Sequence, residues 1–285
     1  METAVITAAG EGSRLLPLTR GMRKEMLPLC AKSADGGLTL KPLLHLILEQ
    51  LYGAGIRKFC FVLRKGESMW KEYLTLNGEY VKTLIKKGRY SGDIDRLRTL
   101  ITDSHIAFVY QETPRGFGDA VLRAEKLVNE NDFVVHAGDG YILNGKALLK
   151  DTISMHGALN ADAVLISRKV DDATRYGVVS GKQDTDHGRD LLRVENIIEK
   201  SSHPPSNNAL IAVYTFNRKI FDSLKKTGPN ERTGEIELSD GILDMLKNGK
   251  VYSTPLDTKK YQWISVGSIN GYLKAFDLLR SNPPD

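Results

Sequence analysis

Four cations, Arg14, Arg20, Arg23 and Lys24, lie within eleven residues of one another, directly after Gly10 and Gly12 in METAVITAAGEGSRLLPLTRGMRKEMLP. Glycines lacking a Cβ let backbone N–H groups close around an anion, and Arg14 and Lys24 supply the opposite charge. The chemistry of such a stretch is phosphate binding. Two further stretches carry chemistry. In QETPRGFGDA (111–120), the Gln111 amide offers both a donor and an acceptor, which suits the edge of a pyrimidine base. Gly116 and Gly118 allow close backbone approach in the same turn. In VVHAGDGYI, Asp139 follows an apolar run between two glycines. A lone carboxylate near a phosphate loop suits Mg²⁺, which commonly takes one or two carboxylates together with substrate phosphates. His136 in that run reads as a packed strand residue.

The elements that must position these groups alternate along the chain. AVITA (4–8) is a strand, and KPLLHLILEQLYGAG (41–55) is a helix with Leu43, Leu44, Ile47, Leu48 and Leu51 on one face, stopped at Gly53 and Gly55. IRKFCFVL (56–63) is a second strand. Residues 67–101 read as a polar helical insertion broken at Gly78, Gly88 and Gly92. HIAFVYQ (105–111), DFVVHAG (132–138) and ADAVLIS (161–167) are strands, and helices are expected over 116–128 and 146–157. This order implies a Rossmann-like, open, mostly parallel α/β sheet with helices on both faces. YGVVS, LLRVENIIE and ALIAVYTF add a small antiparallel, substrate-binding extension. EIELSDGILDML carries a helix, a short strand lies near Val251, and a helix over 270–280 begins the C-terminal segment 268–285. With no repeat or linker, the expectation is one unit spanning 1–285.

The glycine pattern is G-x-G-x-R, not G-x-G-x-x-G. Leu15 stands where a dinucleotide fold wants its third glycine, and strand 56–63 ends in Leu63, Arg64 and Lys65 without the acid that would hold a ribose. That disfavours a hydride-transfer enzyme. The composition, 41% hydrophobic and 26% charged, is that of a globular protein, and the net charge of +5 is spread without a basic block, so small anions suit it better than nucleic acid. No run approaches the roughly 20 apolar residues of a membrane span. Two lone cysteines, Cys30 and Cys60, fit a reducing, cytoplasmic setting.

In order, AAGEGSRLLPLTRGMRKEMLP, QETPRGFGDA, GDG, RYGVV, IIEKS, NALIAVYTF, GEIELSDGI and YQWISVGSINGYLKAF cover almost the whole chain. The series resembles the sugar-1-phosphate nucleotidyltransferases, most closely the bacterial-type UTP–glucose-1-phosphate uridylyltransferases. The resemblance implies synthesis of UDP-glucose and pyrophosphate from UTP and glucose 1-phosphate. It implies that Ala9, Gly10 and Gly12 hold the nucleotide, that Arg14 and Lys24 lie along the triphosphate with Glu25 beside them, and that Gln111 and Gly116 read the uracil. Asp139 would hold Mg²⁺. Gly177, Glu199, Lys200 and Tyr214 would contact the sugar phosphate. Oligomers built through 67–101 and the last helix are also implied. A sugar phosphate is already an anionic nucleophile, so the reaction needs no Ser, Cys or general base, and no triad stands out.

Three positions depart from the family pattern. Ser265 in YQWISVGS stands where the family carries a second metal-binding aspartate, which removes one full negative charge. Arg23 replaces a proline, with the expectation of added charge and a looser loop, and Ser201 replaces another proline. Two other readings fit the same residues. One keeps the fold and serves dTTP or another sugar 1-phosphate, since thymidine differs from uridine by only a methyl and a hydroxyl, and an apolar group of that size is worth about 1–3 kcal/mol. Alternatively, Ser265 marks a protein that binds nucleotide sugars without turnover.

Overall fold

The computed structural model describes residues 1–75, 78–88, 91–185 and 190–285. The chain begins with β1 (Thr3–Ala8), runs through a long loop into a hairpin, β2 (Pro28–Lys32) and β3 (Leu38–Pro42), and enters α1 (Leu43–Gly53) and β4 (Lys58–Arg64). Among its described residues the insertion carries three helices, α2 (Met69–Thr75), α3 (Gly78–Lys86) and α4 (Gly92–Thr102); residues 76–77 and 89–90 of the expected segment lie outside the described residues. Then follow β5 (His105–Gln111), α5 (Phe117–Arg123), β6 (Asp132–Ala137), β7 (Gly140–Leu143), α6 (Lys146–Ala158) and β8 (Ala163–Lys169). The last part comprises β9 (Gly177–Asp184), β10 (Leu191–Glu199), β11 (Asn208–Asn217), α7 (Lys219–Lys226), α8 (Leu238–Leu246), β12 (Val251–Pro255), β13 (Gln262–Ser265) and α9 (Ile269–Ser281).

The main sheet has the order β5-β4-β1-β6-β11-β8-β12-β10-β9. Its first four strands run parallel, as the alternating pattern implies. The sheet is nevertheless mixed rather than mostly parallel: β11 is antiparallel to both β6 and β8, and β10 is antiparallel to β12 and β9. It is not fully open either. Ala209 of β11 pairs with Val178 of β9, closing β11, β8, β12, β10 and β9 into a five-strand ring. The expected extension is therefore part of this ring. A register shift in β11 between Leu210 and Tyr214, and another in β10 between Val194 and Asn196, bend the strands enough for the ends to meet.

Period-two alternation explains why both faces are covered. β1 sends Ala4, Ile6 and Ala8 into one core with Leu43, Leu44, Ile47 and Leu51 of α1, while Val5 joins the opposite core. β4 divides likewise, with Phe59, Phe61 and Leu63 on the first face and Cys60 and Val62 on the second. Both cysteines are free and buried, and burial pushes the Cys60 thiol up to about 12. α1 begins two residues after the expected start because Lys41 and Pro42 belong to β3; past its end, Gly55 takes the left-handed conformation (φ +105°). The hairpin, α7 and the strands β7 and β13 have no counterpart in the sequence-based reading. The paired strands are four or five residues long, too short for an alternation to stand out, and α7 has only eight residues. Among the described residues no helix is long and apolar enough to cross a membrane.

β7 and β13 matter most for the site, since they pair Gly140 with Ser265. The Trp263 indole lies over Gly140 so closely that an ideal Cβ there would fall 2.0 Å from a ring carbon. A Gly140→Ala variant should therefore displace Trp263, cost about 1–3 kcal/mol as an overpacked site, and lower Tm while altering tryptophan fluorescence. An unchanged melting curve and spectrum would refute the close packing.

Candidate active site

The carboxyl ends of β1, β5 and β6 open into one cavity of about 480 Å³. Nine residues singled out from sequence line it: Ala9, Gly10, Gly12, Arg14, Lys24, Glu25, Gln111, Gly116 and Asp139. They come from three segments, and the crevice beyond the strand ends of an α/β sheet brings them together. The loop after β1 forms single 3₁₀ turns at Ser13–Leu15, Leu18–Arg20 and Lys24–Met26. Gly12 is left-handed (φ +68°), a Cβ there would meet Thr19 at 2.9 Å, and the Thr19 hydroxyl donates to the Gly12 carbonyl at 2.8 Å. Leu15 is buried and pins the loop to the core.

Charge concentrates at one end of the cavity. Lys24 Nζ lies 2.7 Å from Asp139 Oδ2 and 3.9 Å from Glu25 Oε1, against the open face of Gly10. Burial opposes the Lys24 ammonium, but Asp139 and Glu25 outweigh it and hold its pKa above the ordinary lysine value. Burial likewise opposes the Asp139 carboxylate, yet Lys24 and Arg14 keep its pKa below the usual range, so the pair is ionised. Glu25 differs: it is 1% exposed, its Oε2 has no hydrogen-bond partner, and burial pushes its pKa up to about 8. His136 is buried, its Nδ1 lies 2.7 Å from the Ala137 carbonyl oxygen, and burial lowers its pKa to about 4, as fits a packed strand residue.

β13 brings Ser265 beside Asp139. Val266 N–H donates to the Asp139 carbonyl at 2.9 Å, and Gly267 N–H donates to Ser265 Oγ at 3.3 Å. A Cβ built on Gly267 would stand 2.9 Å from Arg14 Nη2, 3.4 Å from Ser265 Oγ and 3.5 Å from Asp139 Oδ2, so these three groups surround one point. Among the described residues no three His, Cys, Asp or Glu side chains cluster as metal ligands. One ionised carboxylate and one hydroxyl nevertheless fit a hard cation that takes its remaining oxygens from phosphates. The expectation of a loosened loop at Arg23 is corrected: Arg23 Nε pairs with Glu67, both largely buried, and ties the loop to the start of the insertion.

Gly177, Glu199, Lys200 and Tyr214 lie outside the cavity lining, at the junction of β9, β10 and β11. Gly177 pairs with Glu199, and its missing Cβ leaves room for Glu199 Oε2. Burial raises the Glu199 pKa, opposed by Lys200 at 3.2 Å and reinforced by Glu237. Lys200 is half exposed with φ +43°. Tyr214 is buried, its ring 6.3 Å from that of Phe117, and its pKa is raised by burial and then by the charge of Glu199. Asp119, Glu235 and Glu237 carry no role in the sequence motifs, and the structure adds them to the site. Glu235 lines the cavity, Glu237 is buried with Oε1 unpartnered, and Asp119 is fully buried beneath Gln111. A signal existed for Asp119, because Arg115 and Arg123 flank it at four-residue spacing.

The model of the family described as nucleotidyl transferase matches residues 3–282, and the chain belongs to that family. A relative named UTP–glucose-1-phosphate uridylyltransferase in Streptococcus pneumoniae is 32% identical over 95% of this chain and 87% of its own length. Another of that name in Pseudomonas aeruginosa is 28% identical over 99% and 97%. Among solved structures, UTP-bound UGPase from Acinetobacter baumannii superposes with a TM-score of 0.80 at 27% identity, covering 100% of this chain and 95% of that one. An apo UDP-glucose pyrophosphorylase superposes at 0.86 over 99% of both chains; at 23% identity it supports the fold.

Glu25 gives the site a pH signature. In the unfolded chain its carboxyl titrates near 4.5, and in the fold near 8. Between those values the folded protein binds more protons than the unfolded one, so the stability tied to this group is complete at low pH and is lost as pH rises through about 8. Thermal melts of Glu25→Gln and wild type should therefore diverge with pH across that window, the variant melting higher at the alkaline end. Parallel curves would show that Glu25 is ionised throughout.

Proposed function

We propose that this protein is a uridylyltransferase that joins UTP and glucose 1-phosphate into UDP-glucose, releasing pyrophosphate. The observation that carries the reading is one cavity lined by Arg14 and Lys24 together with Gln111. The names of the relatives from S. pneumoniae and P. aeruginosa support the same chemistry. In this reading residues 1–285 act as one catalytic unit in the cytoplasm, with small-molecule substrates, in a homo-oligomer.

The sugar phosphate attacks the α-phosphorus of UTP in line, and pyrophosphate leaves. Two polyanions must approach one another, so positioning and charge neutralisation supply the catalysis. The backbone at Ala9, Gly10 and Gly12 holds the nucleotide, and Arg14 follows the triphosphate. Lys24 exchanges part of its contact with Asp139 for phosphate oxygens. Glu25, protonated at neutral pH, adds no charge against the triphosphate. Gln111 and Gly116 receive the uracil; Gly177, Glu199, Lys200 and Tyr214 serve the sugar phosphate, with Glu199 accepting from glucose hydroxyls. Asp139 would hold Mg²⁺, which when bound neutralises phosphate charge.

Ser265 favours a second reading. Its hydroxyl stands beside Asp139 without a charge, which suits a protein that binds the nucleotide sugar and does not turn over. The test is pyrophosphate release with glucose 1-phosphate, Mg²⁺ and UTP, dTTP, ATP, CTP or GTP in turn. Turnover with UTP, lost by at least about 10²-fold in Arg14→Ala or Asp139→Asn, supports the transferase. UDP-glucose binding by calorimetry with no release supports the binder, and release with a different nucleotide alone sinks the uridylyl reading. In the active case Ser265→Asp should lower the Mg²⁺ concentration at half-maximal rate, as a second carboxylate joins the first.

A further inference from the structure

Asp119 is out of reach of any ligand in the cavity, yet it determines what Gln111 can offer there. The Asp119 side chain is fully buried on the first turn of α5 and does not line the cavity, whereas Gln111 does. Gln111 Nε2 donates to Asp119 Oδ2 at 2.8 Å and to the Gly116 carbonyl at 3.2 Å. Asp119 Oδ1 accepts from Arg115 Nη2 and Arg123 Nη2, each at 2.8 Å, and Arg123 Nε reaches Oδ2 at 3.4 Å. Burial opposes its ionisation, but the hydrogen bonds from Arg123, Gln111 and Arg115 outweigh this and hold its pKa below the ordinary range.

An ionised carboxylate only accepts hydrogen bonds. The end of the Gln111 amide that faces it must therefore be the NH₂, and with both N–H groups committed the group left for a ligand is the Oε1 acceptor. Uracil and thymine carry a hydrogen on N3, whereas cytosine carries a lone pair there. We propose that Asp119 is a positioning residue that locks the Gln111 amide with its oxygen toward the base, so that the site selects pyrimidines with an N3–H and rejects cytosine. This rests on the uridylyl reading above and supplies its base selectivity. A cytosine opposite Oε1 leaves two acceptors face to face, which should weaken binding about ten- to a hundredfold. The mechanism does not separate UTP from dTTP.

Calorimetry with UTP, CTP and N3-methyl-UTP measures this without requiring turnover, beside the pyrophosphate-release assay. Wild type should prefer UTP over both other nucleotides. In Asp119→Asn the neighbouring group can itself donate, the Gln111 amide can turn over, and the UTP-to-CTP affinity ratio should fall about tenfold or more, with the change in KM rather than kcat. Arg123→Gln, which keeps Asp119 paired with Arg115, should lower Tm while retaining most of the ratio, which separates base selection from general weakening. A wild-type protein that binds N3-methyl-UTP as well as UTP overturns the proposal, even if Asp119→Asn fails to fold. So does a folded Asp119→Asn with an unchanged ratio. UTP preference in binding without pyrophosphate release would instead remove the transferase reading and leave base selection standing.

Discussion

The ion pair between Lys24 and Asp139 is the constraint around which the site is built. It joins the loop after β1 to the end of β6 across 2.7 Å, with both side chains partly buried in the cavity wall. Removing two charges from water is costly, and their mutual attraction offsets that cost only when the geometry is good. Such a pair is weak evidence for stability and better evidence for a site held ready to receive other charges. The surroundings agree. Gly10, Gly138 and Gly267 each press an open face against this cluster, and a Cβ on any of them would crowd Lys24, Glu25 or Arg14. The loop has no long helix of its own, so this pair, the buried Leu15 and the Arg23–Glu67 bridge give it shape.

The Gln111 side of the cavity and the Glu199 region are mechanically linked through one segment, residues 230–237. Arg232 donates to the carbonyls of Glu199 and Lys200. A few residues on, the Ile236 carbonyl accepts from Gly118 N–H at 2.8 Å, and Ile236 N–H donates to the Arg115 carbonyl at 2.7 Å. Gly116 is obligatory at this junction for two reasons. Its φ is +111°, and a Cβ would stand 2.6 Å from the Ile236 carbonyl oxygen. The turn that carries Gln111 and the turn that carries Glu199 thus lean on one short stretch of backbone. Arg115 takes part twice, through its carbonyl to Ile236 and through its guanidinium to Asp119.

Much of this was legible in the chain. The parallel half of the sheet follows from apolar runs alternating with helical spacing, and β5 has the expected bounds, His105–Gln111. The glycine- and cation-bearing loop after β1, Gln111 and Asp139 could be marked as site candidates from residue type and from position at strand ends. The ring of β11, β8, β12, β10 and β9 could not, because closure depends on two bulges and a pairing between residues about thirty positions apart. Nor could the fate of Arg23: a lone cation beside glycines reads as loose, and only the insertion folding back brings Glu67 to it.

The amino-acid sequence by itself determined which glycines, cations and carboxylates stand at the strand ends that line the cavity, since glycine spacing, charge and period-two alternation are local properties. The tertiary structure alone decided which groups share an environment. It put Glu25 underground with a carboxyl that titrates near 8, set Ser265 beside Asp139 through the pairing of β7 with β13, and placed Asp119 behind Gln111. Protonation state and hydrogen-bond direction depend on burial and on partners distant in the chain, and those exist only once the chain has folded.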